Sequence, residues 1–307
     1  LMSWGSRGVD SGQFRNPVDV GVDSSGNVYV LDSWNYRIQK FTTDGQYLTQ
    51  WGSYGHDPWQ FEYPFGMAVD NAGNVFITDI EGARVMKFSS VGAYLGSWGS
   101  YGSGPGEFAT PSGICIDASG NVFVSDTENF RIQKFTSAGI FLGQWGSVGM
   151  QPGQFFYPVG IGADRFGNVF VADIWNYRIQ VFDASGSYLT ELSTYEIVPD
   201  QYSMIMDVCV NDQGDVYGSD QENNRIHKFS NTPFTVTPWT PPLEFHVNAT
   251  AGQGGSISPS GVIPVMQGSS LSFAISPDPV YEISAVIVDG VDQGALSSYT
   301  FPNINAN

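Results

Sequence analysis

The sequence predicts an all-β protein, a β-propeller of four-stranded blades followed by a small β domain. Three observations carry that prediction. Trp4, Trp51, Trp98 and Trp145 stand 47 residues apart, and the next two steps land on Leu192 and Trp239. Five further columns hold the same period over five copies. Glycine and proline, 37 and 17 of 307 residues, punctuate short β-branched runs, and no helical period stands out. Self-similarity at about 45 residues marks stacked supersecondary units and fits one four-stranded blade.

The columns set the phase. They are Gly26, Gly73, Gly120, Gly167, Gly214; Val28, Val75, Val122, Val169, Val216; Asp32, Asp79, Asp126, Asp173, Asp220; Arg37, Arg84, Arg131, Arg178, Arg225; and Phe41, Phe88, Phe135, Phe182, Phe229. Five blades therefore begin near residues 17, 64, 111, 158 and 205. In the first, residues 17–22 alternate valines at period two and form the first strand. Asp23-Ser-Ser-Gly-Asn27 is a turn able to take positive φ. Residues 28–31 are apolar on both faces, so the second strand is buried on both. Residues 37–41 and 47–51 are the third and fourth strands, with polarity rising outward.

The pattern Pro-x-Gly-x-x-x-Asp, Gly-Asn-Val-Phe-Val, Asp-x-x-Asn-x-Arg-Ile-Gln-Lys-Phe resembles the NHL repeat, over residues 1 to about 240. The resemblance implies a propeller, commonly of six blades. Only five full repeats are present. Leu1–Gly5 matches the fourth strand of a preceding blade. Either a blade lies upstream or residues 1–5 close a five-bladed ring by completing the last blade. The fifth blade is the most divergent, with Ile205 in the place of proline and Pro233 in the place of glycine.

The propeller is assigned to residues 1–239, a Pro-rich linker to 240–244 and the β domain to 245–307. In that last part short β-branched runs alternate with Gly, Pro and Ser turns. It resembles the divergent internalin-type bacterial B-repeat of secreted and surface proteins. Both ends read as internal to a longer polypeptide.

Twelve Lys+Arg against 30 Asp+Glu give a net charge of −18. Nucleic acid and anionic lipid need a cationic surface, so neither is an expected partner. No run of about 18 apolar residues is present to span a membrane as a helix.

Asp32–Arg37 and the pairs Asp79–Arg84, Asp126–Arg131, Asp173–Arg178 and Asp220–Arg225 flank the loop between second and third strands. Recurrence in every blade marks them as structural ion pairs, since a ligand site is not normally copied into each repeat. The Asp-x-x-Gly-Asn segments read as Asx turns and not calcium loops. His56, His227 and His246 lie too far apart in the pattern to share a metal, so no metal, cofactor or catalytic residue is expected. The columns lining the centre, where related propeller lyases and lactonases place metal ligands, read as free of departures. Cys115 and Cys209 share a column with Gly21, Ala68 and Gly162 and read as small core residues.

The departures that stand out are aromatic: Trp34, Tyr36, Phe130, Trp175 and Tyr177 after the second strands, and Tyr54, Trp59 and Tyr101 in the connecting loops. The columns of Trp34 and Trp175 hold Glu81, Glu128 and Glu222 elsewhere. These eight aromatics are the candidate ligand-binding face, for stacking on a sugar ring or a peptide. Asn248-Ala-Thr250 is a glycosylation sequon. The expected function is a non-enzymatic, extracellular or cell-surface binding or scaffolding module that meets a protein, a glycan or another copy of itself. The alternatives are a structural subunit of an extracellular layer or filament, and a metal-dependent lactonase- or lyase-type enzyme.

Overall fold

The computed structural model describes residues 2–193, 204–229, 244–266, 271–289 and 291–301. The chain divides into two compact units, Leu1–Thr237 and Pro238–Asn307. Trp239 and most of the Pro-rich linker lie outside the described residues.

The first unit is a series of antiparallel meanders. Blade one runs Pro17–Val22, Val28–Asp32, Arg37–Phe41 and Tyr47–Trp51, each strand paired with the next. Blades two, three and four repeat it from Pro64, Pro111 and Pro158. Blade five shows Ile205–Val210, Val216–Asp220 and Arg225–Phe229, and the place of its fourth strand falls outside the described residues.

The first hairpin follows from the Asp-x-x-Gly-Asn motif. Asp23 Oδ1 accepts from the backbone N–H of Ser25 and Asn27, both at 3.0 Å, and Oδ2 accepts from Asn27 Nδ2 and Tyr29 OH, both at 2.9 Å. Gly26 then turns back at φ +81°. Burial pushes the Asp23 carboxyl up, but these hydrogen bonds outweigh it and hold the group down at about 2. Asp70, Asp117 and Asp164 repeat the arrangement. The carboxylate oxygens are taken up by the turn.

The core lies between blades. Tyr29, Leu31 and Ile38 of blade one pack on Phe61, Met67, Val75 and Ile77 of blade two. Corresponding clusters join blades two to three, three to four, and four to five. The innermost strands lie side by side from Pro17–Val22 through to Ile205–Val210.

The tryptophan column locks each blade to the next. Trp51, Trp98 and Trp145 lie against Phe88, Phe135 and Phe182, with ring centroids 5.7–6.3 Å apart. Each indole covers a glycine with positive φ, Gly92, Gly139 or Gly186. The second unit pairs Glu244–Ala249 with Gly261–Met266, and separately Leu271–Pro277 with both Gly255–Ser258 and Ser298–Phe301. Ala249 and Phe273 are its buried apolar residues among those described.

Candidate binding face

The loop after the second strand is built around the buried Asp. Asp126 Oδ1 accepts from the Ala109 N–H at 2.7 Å. Its Oδ2 accepts from Arg131 Nε at 2.7 Å, Asn129 Nδ2 at 2.9 Å and Gln133 Nε2 at 3.0 Å. The Arg131 guanidinium continues to the carbonyls of Ser103, Gly104 and Glu107. One ion pair thus ties the connecting loop to its own blade. Equivalent pairs form at Arg37–Asp32, Arg84–Asp79, Arg178–Asp173 and Arg225–Asp220, at 2.8–3.0 Å. In blade two, Gly82 and Met86 replace the Asn and Gln donors, and burial pushes the Asp79 carboxyl up despite Arg84.

That frame decides which loop side chains are free. Ser33–Asn35 and Ile174–Asn176 are single 3-10 turns. Ser33 is buried, and its Oγ donates to the Pro64 carbonyl of the next blade at 2.8 Å. Asn35 Nδ2 donates to Asp32 and to the Gly8 carbonyl. Residue 34 is left between two anchors and points outward: Trp34 is 59% exposed, and Trp175 in the same place is 48% exposed. Glu81, Glu128 and Glu222, in that column, are also exposed. The next position closes the turn in the left-handed region, at φ +52° for Tyr36, +53° for Phe130 and +52° for Tyr177. Ala83 and Asn224 share that conformation, so the column has a backbone role whatever its side chain.

The structure brings some of the eight aromatics into ring contacts. Tyr36 and Tyr54 meet edge to face at 5.0 Å. Phe130 stacks on Phe156, rings 6.2 Å apart and 10° from parallel. The exposed Phe156 also accepts the Trp175 N–H at its carbonyl. The sequence reading missed Phe156, although its column, Arg15, Glu62, Ala109 and Phe156, varies as freely as that of Trp34. Trp59 and Tyr101 are exposed and touch no other ring among the described residues. Trp34 and Trp175 stand on separate blades.

Beside Trp34 lies a cleft of about 880 Å³ lined by Arg7, Phe14, Arg15, Asn16 and Pro17 together with residues 5 and 6. No carboxylate among the described residues pairs with Arg7 or Arg15. The immediate surroundings of Trp34 are thus cationic, within a strongly acidic chain.

The centre holds a departure that the sequence reading passed over. The column Asp19, Gly66, Gly113, Gly160 and Asp207 is glycine in the three middle blades. A Cβ there would lie 2.2–2.4 Å from the backbone of the following blade. Asp19 Oδ2 instead accepts the Met67 N–H at 2.6 Å, and Asp207 Oδ1 accepts the Val208 N–H at 2.8 Å. Burial, then the nearby Asp207, push the Asp19 carboxyl up to about 8. Burial likewise raises Asp207 to about 6, although solvent reaches its side chain. Among the described residues, no group of three or more His, Cys, Asp and Glu is placed to hold a metal. Cys115 is buried, but Cys209 in the same column is exposed, which corrects its reading as a core residue.

The NHL repeat model matches residues 14–41 and 108–135. No curated protein matches the chain. Among solved structures, nidogen in a complex with laminin is 18% identical, with a TM-score of 0.54 over 71% of this chain and 78% of that one. A virginiamycin B lyase from Staphylococcus aureus is 17% identical, with a TM-score of 0.52 over 69% of each chain. A streptogramin B lyase is 15% identical, with a TM-score of 0.51 over 71% of this chain and 70% of that one. Likeness at these identities is one of fold. The chain carries NHL repeats, and its first unit has the β-propeller fold.

Proposed function

We propose that this propeller is a non-enzymatic binding module of an extracellular or cell-surface protein, and that it engages a protein or glycan through its loop face. The observation behind this reading is the pair Trp34 and Trp175. The backbone N–H of each helps to hold the loop, but the side chain of each points out of it and is largely exposed where other blades carry glutamate. A large apolar side chain left in water forgoes about 1.5–3 kcal/mol of burial, which a partner recovers on binding. Arg7 and Arg15 beside Trp34 favour a partner with a carboxylate or sulfate next to a flat apolar face, such as an acidic glycan or peptide. The nidogen structure, a propeller of similar fold in a complex with another protein, agrees with this use of the fold. The second unit is read as a B-repeat-like spacer, consistent with surface location. A Trp34→Ala, Trp175→Ala double variant, shown by circular dichroism to fold, tests the reading. Lost glycan-array binding or lost self-association supports it, and unchanged binding by both measures refutes it.

A second reading, an enzyme of the lyase or lactonase type, draws on Asp19 and Asp207. Two carboxyl groups with raised pKa at the centre of the blades are suited to proton transfer near neutral pH. Turnover of a lactone or depsipeptide panel that disappears in Asp19→Asn, Asp207→Asn would favour this reading over the first.

A further inference from the structure

The chain carries twelve Lys and Arg, and nearly all of them are engaged within the fold. Arg37, Arg84, Arg131, Arg178 and Arg225 pair with the buried Asp column. Lys40, Lys87 and Lys134 each donate to a carbonyl of the following blade and lie over an aromatic ring of their own. Lys228 pairs with Asp215, and Arg165 lies over the Phe166 ring. Arg7 and Arg15 are left. Both are exposed, and among the described residues neither side chain meets a carboxylate, a carbonyl or a ring.

Three backbone tethers bring these two arginines to Trp34. Ser6–Arg7 pairs in parallel with Gln13–Phe14, placing Arg7 opposite Phe14. The Arg15 N–H donates to Asp32 Oδ1 at 2.6 Å. The Trp34 N–H donates to the Arg15 carbonyl at 3.1 Å. Blades three and four are tethered in the same way. Tyr101 lies opposite Phe108, and Val148 opposite Phe155. Ala109 and Phe156 donate to the buried Asp of their blade at 2.7 Å. Glu128 and Trp175 donate to the carbonyls of Ala109 and Phe156. The frame is common and its contents differ. It presents Arg7, Arg15 and Trp34 in blade one, Tyr101, Ala109 and Glu128 in blade three, and Val148, Phe156 and Trp175 in blade four. The same columns in blade two hold Tyr54, Glu62 and Glu81, with Glu62 3.2 Å from His56. Of these four sets, that of blade one alone puts cations beside an exposed ring.

We propose that the cleft between Arg7, Arg15 and Trp34 is a subsite for a carboxylated sugar, with the flat C–H face of the sugar on the indole and its carboxylate held by the two guanidiniums. The inference rests on the loop-face reading above and names the ligand class of that face at blade one. A guanidinium presents paired N–H donors that match the two oxygens of a carboxylate. Ser6 and Asn16 line the same cleft and offer polar side chains to ring hydroxyls. A protein partner anchors through side chains sunk in a water-excluded pocket, whereas this ring is 59% exposed between charged and polar neighbours. That favours a sugar over an acidic peptide. The net charge of −18, and Glu62 and Glu81 on the following blade, repel a polyanion. The ligand therefore carries its carboxylates singly, among neutral sugars, and is not a heavily sulfated chain.

The full chain is tested on an array of neutral, carboxylated and heavily sulfated glycans that also holds glutamate-rich peptides. Binding is expected on carboxylated glycans, and converting their carboxyls to methyl esters should weaken it by at least about tenfold. Arg7→Ala, Arg15→Ala should lose as much at an unchanged Tm. Arg165→Ala, which removes an exposed arginine elsewhere, should retain the binding of the parent. A preference for sulfated chains or for the peptides, binding indifferent to esterification or to the arginine pair, an equal loss in Arg165→Ala, or no array binding overturns the inference. A lowered Tm in the arginine pair overturns it too, because these side chains would then belong to the fold. The loop-face reading is judged apart, by the double tryptophan variant: a ligand lost there and kept by the arginine pair leaves that reading standing and removes this subsite.

Discussion

Trp51 covers Gly92 so closely that a methyl group on that glycine would lie 2.7 Å from the indole ring. Gly92 also sits at φ +85°, where an L side chain is strained in its own right. Gly92→Ala is expected to lower stability by about 3 kcal/mol through overpacking and backbone strain together. Gly153→Ala is the control, since Gly153 has φ +80° but open space at its Cβ. Its cost should be only the backbone part, roughly 1–2 kcal/mol. Urea denaturation of the two variants gives the difference, and equal losses would mean that the indole shifts aside.

Arg131→Ala is expected to cost about 3–5 kcal/mol, because it leaves the buried Asp126 carboxylate without its cation. Arg225→Ala should cost less, since the Arg225 side chain is 30% exposed. Neither should alter binding at the loop face. Thermal melts and the glycan array read the two effects separately, and lost binding with an unchanged Tm would reassign these arginines to the ligand.

Asp19 gives a pH dependence of definite sign. Its folded pKa lies above the unfolded value, so the protonated carboxyl is the form that folding favours. The contribution is fully present below the unfolded pKa and fades as pH rises through about 8. Stability should therefore fall from pH 4 to pH 8 by roughly 1–3 kcal/mol on this account, allowing for the water that reaches the pair. Asp19→Asn should flatten that slope and raise Tm at pH 8. A slope unchanged in the variant assigns the dependence elsewhere.

Asn248 is exposed on the strand Glu244–Ala249, opposite Val262. Secretion from a host with N-glycosylation is expected to add a glycan there. Intact-mass spectrometry before and after glycosidase treatment checks it, with Asn248→Gln as the blank. A secreted chain at its bare mass rules the site out.

What the sequence made legible was whatever every blade must solve in the same way. Asp126 and Arg131 could be read as a pair because four other blades carry the same two residues five positions apart. Trp34 stood out because it breaks a column. Asp19 and Asp207 break a column too, but the glycines they replace are there because the next blade's backbone comes within a Cβ's reach. That constraint lies between blades, so it leaves no mark within a single repeat. Arg7, Arg15 and Trp34 come from three separate segments, and their meeting follows from how the loops cross. Cys209 shares its column with Cys115 and differs in being exposed, which no local pattern encodes.

The 3-10 turn of the loops has a consequence for how such a surface changes over time. Ser33 and Asn35 do the holding, and Asp32 with Arg37 holds the ground beneath them. The residue between ties down its backbone N–H, Trp34 to the Arg15 carbonyl, and leaves its side chain outside the frame. Such posts stand on blades one, three and four, where tryptophan and glutamate occupy the same place on the same single turn over the same foundation. A substitution at such a post redraws the contact surface while the buried Asp and Arg beneath it keep their partners.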